Sequence, residues 1–437
     1  MQRLFLTIIA ALATSAAVAA PPPPTPTPAP ARDHAAYQPR HRDPVLTEME
    51  AHDKEVAKQQ DEATAAVRDR QRAAREADEK AEKVLRFDLS GVARPAGPAA
   101  FKSAFHFPPV AQYLTGTCWS FSTTSFYESE IQRLHGVRVK LSEIYTVYWE
   151  YVEKMRRFVR ERGDSLIDEG SEGNAFQHIW PVYGIVPEEA YPGVLAKDGR
   201  HDHSRLIAQL KDLAEWARSH DVWDEELVLG MARTILDRDL GRPPQRFEYQ
   251  GKEYTPQQFF AEVVRLKLDD YVELMSTLAV PFYTQGEYKV PDNWWHDASY
   301  YNVPLDEWYA AIKRAAQAGY TLAIGGDVSE PGYNGFENVA VVPSFDIPQE
   351  YIDQDARELR FYDHATEDDH GIHLVGYTSV GGRDWFLIKD SARSSRWGKF
   401  EGYYFYRDDY VRLKMLTFTA PREAVADLLA KFPKKAS

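Results

Sequence analysis

Among 437 residues a single cysteine occurs, Cys118. A lone thiol forms no intramolecular disulfide and supports no multi-cysteine zinc or iron–sulfur site, which leaves packing or covalent chemistry. It sits in the run Gln112-Tyr-Leu-Thr-Gly-Thr-Cys118-Trp-Ser-Phe-Ser, where a glycine-containing loop leads directly into a predicted helix that reaches about Leu134 and stops at Gly136. Sulfur on the first helical turn lies at the positive end of the macrodipole, which favours the nucleophilic thiolate over the thiol. Inert burial is the commoner fate of an unpaired cysteine, but the residues before Cys118 point to chemistry. A partner base must come from far along the chain, because such constellations are spatial rather than sequential. Residues 370–377 alternate like a strand and carry His370 and His373, just after His364, Asp368 and Asp369. These five also offer a zinc site in principle, but with no matching ligand pattern it ranks below a thiol–imidazole pair.

Gln112, six residues before the thiol, and Cys118-Trp119-x-Phe121 resemble the nucleophile segment of papain-like cysteine peptidases. The resemblance implies an oxyanion hole made by the Gln112 side-chain amide and the Cys118 backbone N–H. His370-Gly-Ile-His373-Leu-Val-Gly376-Tyr377 is similar to the family's histidine strand, in a register that makes His370 the base and His373 a packing residue. His178 and His364 are then bystanders. Trp385-Phe-Leu-Ile-Lys-Asp390-Ser391 resembles the family's Ile-Lys-Asn-Ser segment, with aspartate in place of asparagine and Ala392 in place of the following tryptophan. An aspartate can still accept the hydrogen bond that fixes the imidazole tautomer. Its charge also stabilises imidazolium and raises the histidine pKa.

Further segments resemble the bleomycin hydrolase and aminopeptidase C branch: Leu141 to Glu150, Glu172-Gly173-Asn174, Tyr183 to Pro187, Pro304 to Trp308, Ala323 to Val328, and Asp408-Asp409-Tyr410. Gly173 and Asn174 are the substrate-binding candidates that this implies. The branch consists mostly of cytosolic hexamers whose C-terminal arm binds the substrate's amino terminus. After Thr419 this chain has a short helix-like tail without the longer apolar ending, so aminopeptidase and endopeptidase action both stay open, as does homo-oligomer formation.

The fold implied is α+β with two lobes: a helical lobe led by the Cys118 helix and a helix over 141–162, and an antiparallel sheet or barrel. Its strands are expected near 321–328, 338–344, 370–380, 385–389 and 402–407. A mainly helical insertion is expected at about 195–300, with helices over 206–220 and 256–278. The peptidase domain is placed at 101–425, followed by a tail over 426–437. Ahead of it, Arg3, the apolar run 4–13 and the small residues Ala17-Val18-Ala19 read as a signal peptide over 1–19. A Pro-rich linker follows to residue 44, then a charged helix over 45–90, capped by Thr47 with Glu50, as a spacer or propeptide.

Composition narrows the function. Lys and Arg total 52 against 66 Asp and Glu, a net charge of −14, which disfavours nucleic acid as partner. Apolar residues at 44% permit a large core. No later run is long enough to span a bilayer. The expectation is an exported, periplasmic or secreted cysteine peptidase acting on peptide or protein substrates, with no cofactor and no metal. Two alternatives stand beside it: a catalytically impaired peptide-binding or surface-interaction module, motivated by Asp390 and Ala392, and a transferase with the same nucleophile but an amine acceptor.

Overall fold

The computed structural model describes residues 33–193, 198–329 and 331–433. The expected signal peptide, most of the Pro-rich linker and the last four residues of the tail lie outside them. The chain divides into two compact units, Met1–Lys83 and Val84–Ser437.

In the first unit, a helix spans Pro44–Ala81 and buries no residue. Its cap is Asp43 rather than Thr47. The Asp43 side chain accepts from the N–H groups of Val45 and Leu46, while Thr47 Oγ1 donates to the Asp43 carbonyl. Aspartate followed by proline at the first helical position combines an orphan-donor acceptor with a preset φ, and this outcompetes a threonine one turn later. Interleaved charges such as Lys58 and Glu62, 3.9 Å apart, give the helix local support without a core. The expected spacer ends early: Leu89 is buried with Phe101, Val375, Trp385 and Phe405 in the second unit.

The second unit begins its helical part at Cys118–His135, whose residues 119–131 are all buried. A helix enclosed on every side needs no amphipathic stripe. Against it packs Glu143–Arg160, capped by Ser142, whose Oγ accepts from the Tyr145 N–H. The helices Ala175–Tyr183, Ser204–Ser219 and Glu225–Asp239 complete a core rich in aromatics, including Tyr127, Phe176 and Trp180.

The sheet part differs from expectation in two ways. Among the described residues it is one eleven-stranded mixed sheet, in which Val339–Ala340 runs parallel to Tyr403–Arg407 and Tyr300–Asn302 parallel to Tyr271–Met275. Its centre is antiparallel, in the order Tyr271–Met275, Met415–Pro421, Leu322–Gly326, His370–Val380, Arg383–Lys389 and Tyr403–Arg407. The strand expected over 338–344 shortens to two residues, as Pro343 brings no N–H to a ladder. The helix expected over 256–278 is a single turn, Pro256–Phe259, continued by a π-helical stretch and closed by Arg265 at φ 53°. Residues 271–275 then enter the sheet, buried throughout. A strand buried on both faces loses the alternation that would mark it, so its apolar run reads as helix.

Helix Leu305–Ala318 covers one face of the sheet, with Trp308 fully buried and its ring edge-on to Phe418 at 5.4 Å. Trp308→Ala should lower stability by about 3–5 kcal/mol through lost burial plus a cavity. Denaturant unfolding of the second unit measures this; a loss under 1 kcal/mol contradicts the packing described.

Candidate functional site

Cys118 is the first residue of its helix; the Ser120 and Phe121 N–H groups donate to the Thr117 carbonyl, and those of Cys118 and Trp119 have no intrahelical acceptor. The loop ahead is pinned by side chains: Thr115 Oγ1 lies 2.7 Å from Thr117 Oγ1 and donates to the Gln112 carbonyl at 3.0 Å. The sulfur is partly exposed.

His370 opens the strand His370–Val380, opposite Gly326 on the neighbouring strand. What carries it to the sulfur is the residue after it. A Cβ at Gly371 would lie 2.9 Å from Ser122 Oγ and 3.2 Å from Trp119 Cα, so only glycine lets the strand pass this close to the start of the helix. Asp390 follows the strand Arg383–Lys389 directly. A two-glycine turn, Gly381 at φ 62° and Gly382 at φ 76°, joins the two strands and pairs Val380 with Arg383. Positive φ at both turn residues matches the right-handed twist of a hairpin. That register holds as far as Gly376 opposite Leu387; an irregularity between Leu374 and Gly376 then shifts it, which sets His373 opposite Lys389 and leaves His370 and Asp390 together at the far end.

His370 Nε2 and Asp390 Oδ1 are 3.0 Å apart, both buried. Cys118 and His370 line the same cavity, with the sulfur close enough to favour the charged ring. With Nε2 taken by Asp390, the nitrogen that faces sulfur is Nδ1. Burial works to strip the ring of its proton, but the charges of Asp390 and Cys118, and the hydrogen bond to Asp390, override it and hold the His370 pKa well above its usual value. For Asp390 burial works upward; the His370 charge, with hydrogen bonds from His370, Ala392 and Tyr333, brings the carboxyl below its usual range.

Gln112 is tied to the residue after Asp390: its N–H donates to the Ser391 carbonyl at 3.0 Å, and Ser391 Oγ donates to its Oε1 at 2.7 Å. Its Nε2 donates to the Thr115 carbonyl at 2.7 Å. Gly173 lines a cavity that reaches Cys118 and His370. Asn174 does not join it. It is fully buried, and its Nδ2 donates to Asn293 Oδ1 at 3.2 Å and Tyr300 Oη at 3.1 Å, so it corrects from a substrate-binding candidate to a structural link. His373 takes the packing place: it is buried, Nδ1 is 2.8 Å from Ser125 Oγ, and burial followed by the Lys389 charge pushes its pKa well below the usual value. His364 is exposed and His178 stacks on Trp295 at 4.2 Å. Among the described residues no group of three or more His, Cys, Asp or Glu side chains is arranged to hold a metal ion.

The sequence profile of the Peptidase C1-like family matches residues 98–412. The chain belongs to this family. Aminopeptidase C of Lactococcus lactis subsp. cremoris is 25% identical over 275 residues, covering 55% of this chain and 63% of the relative. Aminopeptidase C of Streptococcus thermophilus is 23% identical over 265 residues, covering 50% and 58%. The chain thus spans about six-tenths of the length of the curated relatives it matches. The crystal structure of PepW from Lactobacillus rhamnosis HN001 (DR20) superposes with a TM-score of 0.60 at 19% identity, over 76% of this chain and 84% of that one. The papain-like α+β fold expected from the residues is therefore the fold of this member of the peptidase family.

Two contributors to the site were not legible in the sequence. Tyr333 is buried, stacks on Tyr404 at 4.4 Å and donates from its hydroxyl to Asp390 Oδ2 at 3.1 Å. The Ala392 N–H donates to Asp390 Oδ1 at 2.6 Å. A carboxylate has more lone pairs to satisfy than an amide oxygen, so the replacement of asparagine by aspartate was the one available signal that extra donors must lie nearby.

Asp390→Asn keeps an acceptor but removes the charge that favours imidazolium, so His370 should lose its proton at lower pH. The alkaline limb of the kcat/KM profile for peptide hydrolysis should move toward neutrality, and an unchanged limb refutes the assignment. Gly371→Ala should force strand and helix apart and reduce kcat/KM about tenfold to a hundredfold, the scale of small misplacements; activity within twofold of the parent would show that the contact is not limiting.

Proposed function

We propose that the protein is an exported cysteine peptidase that hydrolyses peptide bonds through an acyl-enzyme intermediate. The observation that carries this is a buried imidazole 3.0 Å from Asp390 that lines one cavity together with Cys118. The Cys118 thiolate adds to the scissile carbonyl carbon, and the C=O electron pair moves onto oxygen. As the tetrahedral species collapses, the C–N bond breaks and the His370 imidazolium gives its proton to the leaving amine. The neutral imidazole then takes a proton from water, which attacks the thioester and releases the carboxylate product and the thiolate. Asp390 orients the ring and is not itself a proton carrier.

The developing oxyanion needs converging donors. The Cys118 N–H has no intrahelical acceptor, and the Gln112 amide gives one hydrogen to the Thr115 carbonyl and keeps a second. Rigid attachment of Gln112 to Ser391 supports this role. The replacements that motivated a binding-module reading do not dismantle the hydrogen-bond set: Asp390 accepts from His370, Tyr333 and the Ala392 N–H. Export rests on the N-terminal sequence, the apolar run 4–13 and Ala17-Val18-Ala19. The relatives named Aminopeptidase C favour amino-terminal cleavage as one mode of action.

Cys118→Ala should abolish both hydrolysis of fluorogenic peptide amides and covalent labelling by a thiol-directed epoxide. Retained peptide hydrolysis in that variant would falsify the mechanism.

A further inference from the structure

The cavity beside the thiol is lined by five carboxyl groups, Glu172, Glu273, Asp292, Asp368 and Asp369, and by neither lysine nor arginine among the described residues. They come from separate parts of the chain. Glu172 precedes Gly173, Glu273 lies on the strand Tyr271–Met275 and Asp292 on a loop, while Asp368 and Asp369 lead into His370. The group is more than an acidic patch, because one member lacks a partner. Glu172 is 7% exposed, and its Oε1 meets no hydrogen-bond donor among the described residues, although it lines open space. A buried acceptor left without a donor is costly unless a ligand supplies one.

The neighbour that Glu172 does meet, Asp368, is a second carboxyl and brings no donor when both are ionised. Glu273 takes the hydroxyl of Thr419, at 2.9 and 2.8 Å from its two oxygens. The nearby ammonium of Lys154 is committed to the carbonyls of Asp168 and Gly170. The pocket is also held open: a Cβ at Gly325 would lie 3.1 Å from Asp368 Oδ1 and 2.8 Å from Thr417 Oγ1. With the cavity empty, these carboxyls raise one another's proton affinity. Glu172 is pushed well above its usual range by burial and then by the charge of Asp368; Asp292 is pushed up to about 6 by burial and Asp368.

A metal ion would need carboxylates converging on one point, and no set of three does so among the described residues. They surround a volume instead, which suits a cation that carries several N–H donors around a plane or at the end of a stem. We propose that this cavity binds a positively charged group of the substrate, an ammonium or guanidinium close to the scissile bond, through Glu172 and Asp368 with Glu273 and Asp292 around them. The inference rests on the peptidase reading and names its specificity: peptides carrying a cation next to the residue whose carbonyl is attacked. That cation comes from a Lys or Arg side chain or from the peptide's own α-amine.

The test compares kcat/KM for dipeptidyl fluorogenic amides with Arg, Lys or Leu in the first position, each with a free and an acetylated amino terminus. Wild-type protein should prefer the cationic members at least tenfold, about 1.4 kcal/mol. A preference for acetylated Arg over acetylated Leu assigns the side chain as the source; loss of all preference on acetylation assigns the α-amine. In Glu172→Gln and Asp368→Asn the cationic-to-neutral ratio should fall at least tenfold. Equal wild-type rates for cationic and neutral substrates in both arms overturn the inference, without recourse to any variant. A ratio unchanged in both folded variants overturns the assignment to these residues. Epoxide labelling of wild-type Cys118 is read in parallel: labelling without cation preference removes only this inference, whereas absent labelling and hydrolysis remove the peptidase reading itself.

Discussion

A buried imidazole that keeps its proton is the constraint from which the rest of this site follows. Taking His370 out of water disfavours the charged ring, and the structure answers chiefly with the Asp390 carboxylate at Nε2. That solution passes the problem to Asp390, which is itself buried. A carboxylate in such surroundings is tolerable only with its lone pairs occupied. Three donors do this, His370 Nε2, the Ala392 N–H and the Tyr333 hydroxyl, and Ser394 Oγ lies 3.3 Å behind the phenol. The chain of satisfied groups therefore runs from the sulfur outward through the ring to the sheet.

Position comes from two backbone facts rather than from the site residues. The two-glycine turn at 381–382 sets the hairpin register as far as Gly376, and the irregularity between Leu374 and Gly376 shifts it by one residue at the end that carries His370. The helix meets that hairpin where Gly371 passes Trp119, so the distance between sulfur and ring is set by how closely a backbone without Cβ can approach a helix start. Gln112 is coupled to the same frame by four bonds, two to Ser391 and two to Thr115, which makes the residue after Asp390 an anchor for the opposite side of the cleft.

This division explains what the sequence disclosed. Cys118, His370 and Asp390 stand at the start of a helix, the start of a strand and the end of a strand, and each boundary leaves a local trace in residue type and alternation. Tyr333 leaves none: it lies on a two-residue strand, and its role depends on where that short segment meets Asp390. Asn174 misled for the converse reason, since a polar residue after Glu172-Gly173 looks available until tertiary structure buries it against Tyr300. Asp368 and Asp369 were visible beside His370, but their meeting with Glu172, Glu273 and Asp292 around one cavity was not. Glu273 in particular sits in a segment read as helix, and only its pairing opposite Thr419 turns it toward the others.

The acidic cavity and the ion pair are compatible for an electrostatic reason. Moving a proton from sulfur to Nδ1 creates adjacent opposite charges, so a negative potential common to both atoms penalises the thiolate and favours the imidazolium by similar amounts. What survives is the gradient across the pair. Asp390 lies at Nε2, on the far side of the ring from sulfur, so its field favours the charge-separated form outright. The helix N-terminus acts with the same sign at the other end, stabilising the anion on Cys118. An aspartate at 390, where the resemblance implied asparagine, thus places a full charge at the end of the pair where it does most to keep the proton on nitrogen.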